Sequence, residues 1–548
     1  MLQFCLKRKT GSGGNLSLRS ILLPSLLAFI ICLSTVKKSD GYKILGVIHM
    51  GSRSHHIVGS ALLKELARRG HEVTMISPFP LKTPMANYTD VSTPAVLELV
   101  QDVAGNALKF RNQNIIGNII SFHDIGLKVT EIVLTDAAVQ QLMRSNQTFD
   151  VVICEVFLSE ALYGLAEHFK APLIGLGTFG AVLWNTDMVG SPSPPSYVPH
   201  PLLQFTHHMT LPQRIANLAF ATFERLFTDF YYMPRQEKLY LKYFPQAKRS
   251  MQEVRQNAAL VLLNQHVSLS FPRPYMPNHI EVGGMHINRV RQPLPSDLQR
   301  FLDGATEGAI YFSLGSNLKS KNLPLEKREA ILTTIRGLKQ RVLWKFEEPE
   351  LPGKPANLLI RDWFPQDDIL AHPNVRVFIT HGGLLSTTES IYHGKPFIGV
   401  PVFGDQFINT ARAQLTGYGL MLDYNNLTAD SFAAAIRRLL EEPSYTQQVR
   451  DMSARYRDQP LEPLALAVHW VEHVVRHNGA TYLRCAGMDL NFWQYHNFDA
   501  ILILYGGLLV VLLAVGLLVR VACRTIWRRC SGNQTVKKQT PQRKSKHQ

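Results

Sequence analysis

Cysteine is scarce in this chain, six in 548 residues, and no two stand at a spacing that zinc sites use. Cys5 and Cys32 fall in an N-terminal leader, and Cys523 and Cys530 lie beyond a C-terminal apolar run, so only Cys154 and Cys485 belong to the body. A disulfide framework is thereby excluded, and one bridge is the most the body can form. Cys154 sits in a strand-like run and reads better as a small buried hydrophobe. Charge is sparse too, 18% against 46% hydrophobic, which suits two or three domains with substantial cores. Acidic residues are outnumbered 42 to 58, and the net +16 resembles a nucleic-acid signal until it is located. The nine basic residues after Val519 face no acidic one, and residues 1–41 hold six basic against one acidic, so residues 42–519 keep only +2. Nucleic acid is thus excluded as a partner of the body. Internal repeats are missing, as is low complexity outside the tail.

The ends carry delivery signals. Ile21–Leu33 is a mostly apolar run of 13 residues behind Lys7, Arg8, Lys9 and Arg19, which reads as a secretory signal peptide over 1–41, ending near Ser39–Gly41. Ala500–Val519 is 20 residues without a charge; at ~1.5 Å per residue it spans roughly the 30 Å hydrocarbon core as a transmembrane helix. The basic tail, 520–548, stays cytosolic by the positive-inside rule, which makes the body lumenal. The last five residues, Lys544-Ser545-Lys546-His547-Gln548, resemble a lysine-x-lysine-x-x retrieval tail of the endoplasmic reticulum. Sequons at Asn87, Asn146 and Asn426 face the lumen in this topology, and the one at Asn533 does not.

The body alternates strand and helix. Tyr42–Ile48 is a short apolar strand, a glycine and serine turn follows, and Ile57, Ala61, Leu62 and Leu66 place a helix from about Ile57 to Arg69, ended by Gly70 before a strand at Glu72–Ile76. That β-α-β unit implies a parallel sheet. A second alternation runs through Ala309–Leu314, Arg341–Phe346, Asn357–Ile360, Val375–Thr380 and Phe397–Val400. The fold class is α/β in two halves, 42–289 and 297–485, joined by a linker at 290–296.

The stretch from Trp363 to Gln406 carries the chemistry. Trp363 offers an indole on which a flat base stacks, worth roughly 1–3 kcal/mol. Val375–Thr380 is a buried strand, and Gly382 and Gly383 after His381 let the backbone come close to a ligand before a helix begins near Ser386. A helix N-terminus favours an anion, here a pyrophosphate, with His381 beside it. Glu389 accepts hydrogen bonds from ribose hydroxyls, while Asp405 and Gln406 follow the next strand, where sugar hydroxyls are read. Together these describe a site for a UDP-sugar. In the other half, Ser54-His55-His56 stands where the first strand ends and the first helix starts, on the ligand side of an open α/β sheet, and offers a histidine base that titrates near neutrality. Phe149–Glu155 is a strand ending in a carboxylate that can orient it.

This stretch resembles the signature of the UDP-glycosyltransferases, and the resemblance covers most of the chain. Ala309–Ser316 resembles the strand and glycine turn that opens the family's donor domain, and Asp458–Arg484 the helix before the membrane anchor. The resemblance implies the GT-B architecture: two facing Rossmann-like domains, an N-terminal one for the acceptor and a C-terminal one for the donor, plus one C-terminal transmembrane helix. It implies Ser316, Trp363, Gln366, His381, Gly383, Ser386, Glu389, Asp405 and Gln406 as donor contacts. It makes His55 the base, sixteen residues ahead of His71 in Arg69-Gly70-His71, and ranks His56 second; His71 reads as a solvated turn residue. Relatives commonly hold an aspartate where Glu155 stands, so Glu155 becomes its partner. Many relatives carry an asparagine where this chain has Leu385, a departure that bears on the phosphate contacts.

The implied activity is inverting transfer of a hexose, glucose from the insect-like wording, to a hydroxyl of a small lipophilic acceptor in detoxification or conjugation of endogenous metabolites. UDP-sugar is the co-substrate, with no tightly bound cofactor and no metal, since no acidic-x-acidic motif stands in the metal-anchoring role. Apolar residues of 179–245, among them Phe179, Trp184, Phe205 and Phe220, are candidates for the acceptor pocket. The implied location is the endoplasmic reticulum membrane, single-pass type I, and association into homo-oligomers follows from relatives. The competing expectations are glucuronate as the sugar, which needs a cation that the signature loop lacks, and a noncatalytic membrane-anchored sugar or lipid binder.

Overall fold

The computed structural model describes residues 41–105, 114–288, 290, 292–316 and 318–532. The signal peptide, apart from Gly41, and the retrieval-like tail with Asn533 lie outside them.

Seven parallel strands form the first sheet in the order β3-β2-β1-β4-β5-β6-β7: β1 (Lys43–Val47), β2 (Glu72–Ser77), β3 (Tyr88–Ser92), β4 (Val151–Glu155), β5 (Leu173–Gly177), β6 (Leu260–Leu263) and β7 (His279–Glu281). Six more form the second in the order β10-β9-β8-β11-β12-β13: β8 (Ala309–Ser313), β9 (Arg341–Lys345), β10 (Leu358–Arg361), β11 (Val375–Thr380), β12 (Phe397–Gly399) and β13 (Gly419–Met421). Helices cover both faces, so the central strands are buried at every position, as in β4 and β8. Strand order reverses between β1 and β4 in one sheet and between β8 and β11 in the other. Loops diverge there at the carboxyl ends and leave a crevice for ligands. These are the two Rossmann-like halves that the resemblance implies.

The first helix, α1, spans Arg53–Arg68 and begins four residues earlier than its apolar spacing indicates. Its first turn faces the crevice rather than the core, so Arg53, Ser54 and His55 contribute no hydrophobic period. Further on lie α2 (Ile115–Thr135), α3 (Leu211–Phe227), α4 (Leu384–Tyr392), α5 (Gln406–Thr416), α6 (Pro463–Arg476) and α7 (Phe498–Gly532).

Helix α6 follows the second sheet in sequence but packs on the first. Ala467, Val468, Val471 and Val474 are fully buried among Ile44, Leu62, Leu66 and Ile153. At roughly 1.5–3 kcal/mol for a buried aliphatic side chain, this seam holds the halves together far more firmly than the exposed linker residue Val290 can. His71 belongs to it: its Nδ1 accepts the Tyr42 backbone N–H at 3.1 Å and its Nε2 lies 3.2 Å from Glu472 Oε1. It is therefore a buried bridge, not a solvated turn residue, because a partner from distant sequence covers the turn. Leu385 also packs against this N-terminal core from the opposite half.

Helix α7 contains the expected span 500–519 and is, among the described residues, the one helix long and apolar enough to cross a membrane; none of its apolar window is buried. Cys154 is fully buried in β4, and neither it nor Cys485 is in a disulfide.

Candidate active site

His55 stands in the first turn of α1 and Glu155 at the carboxyl end of β4, the strand beside β1, so the reversal of strand order brings them together. Glu155 is completely buried. Its Oε1 pairs with His55 Nδ1 and accepts Thr178 Oγ1–H at 3.0 Å. Its Oε2 accepts the Met50 N–H at 3.2 Å and lies 3.4 Å from His49 Nδ1. Burial opposes ionisation of Glu155, but the charges of His55 and His49 and the hydrogen bonds from His55 and Met50 outweigh it and hold the carboxyl below the usual carboxylate range. Burial in turn lowers the His49 pKa. The rings of Phe157 and Phe179 meet His55 edge-on at 5.0 and 5.1 Å and fix its plane. With Nδ1 occupied, Nε2 is left without a hydrogen-bond partner among the described residues. His56 turns instead toward Phe79, and its pKa falls to about 4, through burial first and then Lys64 and Arg53.

The residues expected to contact the donor line one cleft of about 360 Å³ between the halves: Ser316, Trp363, Gln366, His381, Gly383, Ser386, Glu389, Asp405 and Gln406, with His55 on the facing wall. Glu155 stands behind His55 and does not line it. Trp363 is 46% exposed, an accessible ring on the cleft wall. Gln366 Nε2 donates to Glu389 Oε2 and to Ser386 Oγ, the latter at 3.1 Å, so three of the residues form one hydrogen-bonded group. Gly315 and Gly383 close on His381: a Cβ at either would lie 2.5 Å from the imidazole. Burial, with Lys345 adding to it, lowers the His381 pKa to about 4, so the ring is neutral at physiological pH. Asp405 Oδ2 accepts from Asn409 Nδ2 at 2.9 Å, yet burial outweighs that bond and raises the carboxyl to about 6. The side-chain oxygen of Gln406 is engaged by the Val402 and Phe403 N–H groups at 2.8 and 3.1 Å. Only its amide nitrogen remains for a ligand.

A second cavity, about 170 Å³, is walled mainly by apolar and aromatic side chains, including Phe157, Phe179 and Trp184. It meets the donor cleft at His55, Phe179, Phe403 and Asp405, which belong to both. Of the four candidate aromatics, Phe179 and Trp184 line this cavity and Phe205 and Phe220 do not. A larger cavity of about 1000 Å³ opens at the amino ends of β4 to β6, remote from these groups.

Sequence reasoning missed several members. Thr178 donates to Glu155, with His49 Nδ1 3.4 Å away; His286 places Nε2 3.3 Å from Glu389 Oε1; Arg53 and Lys345 bring cations to the donor cleft. Arg53 was legible as the cation two residues before His55. The others come from separate strands and loops and leave no local pattern.

Two facing parallel-sheet halves with an oriented histidine where their crevices meet define a GT-B glycosyltransferase. Among solved structures, the chain is similar to CalG4, the calicheamicin glycosyltransferase, at TM-score 0.54 and 19% identity over 80% of this chain and 99% of that one. The chain belongs to the family described as "UDP-glucoronosyl and UDP-glucosyl transferase", whose model matches residues 43–538. Among curated relatives, UDP-glycosyltransferase UGT5 of Dactylopius coccus is 34% identical, covering 93% of this chain and 98% of the relative. UDP-glucosyltransferase 2 of the same species is 34% identical, covering 91% and 96%.

Proposed function

We propose that this enzyme transfers a hexose, glucose in the first place, from a UDP-sugar to a hydroxyl of a small lipophilic acceptor, with inversion at the anomeric carbon. The observation that carries this reading is His55: its Nδ1 is held by Glu155, and it stands where the apolar cavity meets the donor cleft. His55 Nε2 takes the acceptor proton as the oxygen attacks the anomeric carbon. The new C–O bond forms as the bond to UDP breaks, and Glu155 stabilises the imidazolium. The departing phosphate charge falls near the N-terminus of α4 and neutral His381. The Leu385 side chain packs across the halves and offers no polar group to a phosphate, so Ser386 and the backbone N–H groups of α4 serve there. Trp363 stacks on uracil, Glu389 takes the ribose hydroxyls, and Asp405 with the Gln406 amide reads the sugar. UDP-sugar is the one co-substrate in this scheme, without a resident cofactor. In this reading the enzyme is a single-pass protein of the endoplasmic reticulum membrane with a lumenal body, a location supported by the apolar helix α7 and the retrieval-like tail.

Glucuronate is the second reading, favoured by Arg53 and Lys345 on the cleft wall. Lys345 Nζ is held by Glu347 at 2.6 Å, so Arg53 is the better partner for a sugar carboxylate. Microsomes bearing the full chain, given UDP-glucose or UDP-glucuronate with a phenol panel, should form a hexoside by mass spectrometry. A glucuronide alone would favour the second reading, and no conjugate from either donor would remove both.

Trp363→Ala is expected to raise the KM for the UDP-sugar roughly tenfold to a hundredfold with kcat changed little, the loss of one stacked base at about 1–3 kcal/mol. An unchanged KM would place the uracil elsewhere. Asp405 adds a pH dependence. It is a full acceptor only above its raised value of about 6. The KM for UDP-sugar should therefore climb as pH falls through that value, while the affinity for UDP alone stays level. Asp405→Asn should abolish the trend.

A further inference from the structure

Helix α3 is inverted. Its buried residues are Asn217 and Glu224, while Leu211, Ile215, Leu218 and Leu226 are exposed. Asn217 holds the local backbone in place. Its Oδ1 accepts the His200 N–H at 2.7 Å, and its Nδ2 donates to the carbonyls of Pro195 and Val198 at 2.8 and 2.9 Å. It thereby pins His200 beside Glu224. Glu224 itself lines the acceptor cavity, as do His200 and His123. His200 Nδ1 accepts the Leu202 N–H at 3.2 Å, so its proton is on Nε2, which donates to Glu224 Oε2 at 2.7 Å. One carboxylate oxygen satisfies that ring, and Oε1 makes no hydrogen bond among the described residues.

His123, on α2, repeats the pattern. Its Nδ1 lies 2.8 Å from the Ile119 carbonyl, which only accepts, so Nδ1 carries the proton and Nε2 presents a lone pair. Burial lowers its pKa, against the Ile119 hydrogen bond and then Glu224 and other carboxylates, which pull the other way. His123 is 2% exposed, and its Nε2 has no partner among the described residues. A mainly apolar cavity is thus lined by two buried residues from different helices, each with one acceptor atom that no described group engages, and His123 Nε2 is itself a buried atom. Buried acceptors without partners are rare and mark a place for a missing donor.

We propose that Glu224 Oε1 and His123 Nε2 form a second polar subsite in the acceptor cavity, which takes a hydrogen-bond donor, a hydroxyl or amine, carried by the acceptor molecule apart from the hydroxyl that receives the sugar. The inference rests on the transfer reaction proposed above and narrows its acceptors to apolar molecules with two polar ends. A cavity built to receive a donor discriminates against an analogue without one more sharply than an apolar wall discriminates by size.

The test compares three para-substituted phenols, hydroxypropyl, aminopropyl and methoxypropyl, as acceptors for the membrane-bound full chain at saturating UDP-sugar. The first two carry a donor, and the methoxy compound only accepts. The wild type should show kcat/KM at least about tenfold higher for one or both donor-bearing phenols than for methoxypropylphenol. Which of the two leads separates a hydroxyl from an amine. Glu224→Gln keeps an oxygen for His200 and puts an amide N–H where Oε1 was, so the preference should collapse or reverse toward methoxypropylphenol, whose ether oxygen can accept from that N–H. His123→Phe, which keeps a ring and removes Nε2, should weaken the preference independently. Transfer to all three phenols at similar kcat/KM by the wild type would overturn the subsite and leave the transfer reaction standing. Absence of transfer to any of them, or to other phenols with either UDP-sugar, would overturn both.

Discussion

His55→Ala is expected to lower kcat by roughly a hundredfold to ten-thousandfold, the range for loss of a positioned general base. The donor KM should move little, since the donor contacts lie on the other half of the cleft. The loss should depend on the acceptor. An alcohol needs its proton removed as it attacks, whereas a phenol of pKa near 10 is already partly prepared. Across ring-substituted phenols of falling pKa, the wild-type to mutant ratio should shrink steadily. A ratio that ignores acceptor acidity would mean His55 serves packing between Phe157 and Phe179 rather than proton transfer.

Glu155→Gln is the second large effect. The amide keeps the carboxylate's shape but can present an N–H to His55 Nδ1, which drives the imidazole proton to Nε2, the atom that must take the acceptor proton. By analogy with the amide substitution in serine protease triads, kcat should fall on the order of 10²–10⁴-fold with the donor KM preserved. Glu155→Ala is harsher. It strips partners from His55, Thr178 and the Met50 N–H in a fully buried site, at a cost to folding of roughly 3–5 kcal/mol. Because the folded-state pKa of Glu155 is depressed, its stabilising contribution is fully present above the unfolded carboxylate value, about 4.3. It is lost as pH falls toward the lower folded value. The Tm gap between wild type and Glu155→Gln should therefore narrow below about pH 4.

The donor side was legible because it is local: one strand, one glycine turn, one helix and the next strand carry Trp363 to Gln406 within 44 residues. Element positions there moved by a residue or two, and all nine residues expected to contact the donor line one cleft. The engagement of the Gln406 side-chain oxygen in the Val402 to Gln406 turn was not legible, because it is a matter of backbone geometry. The dyad was half legible. His55 and Glu155 are 100 residues apart, and parallel pairing of β1 with β4 joins them. Nothing in the chain order announced Thr178 or His49. The mainly apolar cavity beside His55 was least legible, since its wall gathers α1, α2, α3 and several loops, and the polarity of α3 runs opposite to a core-facing helix. The same inversion hides Glu224 from a hydrophobic-periodicity reading.

The most direct test of the central claim is acceptor-dependent release of UDP from UDP-glucose by membranes carrying the full-length wild type beside His55→Ala, both at saturating donor. The account predicts release by the wild type that requires acceptor and falls at least about a hundredfold in the mutant. A mutant that keeps most of the wild-type rate would contradict the assignment of His55 as the base.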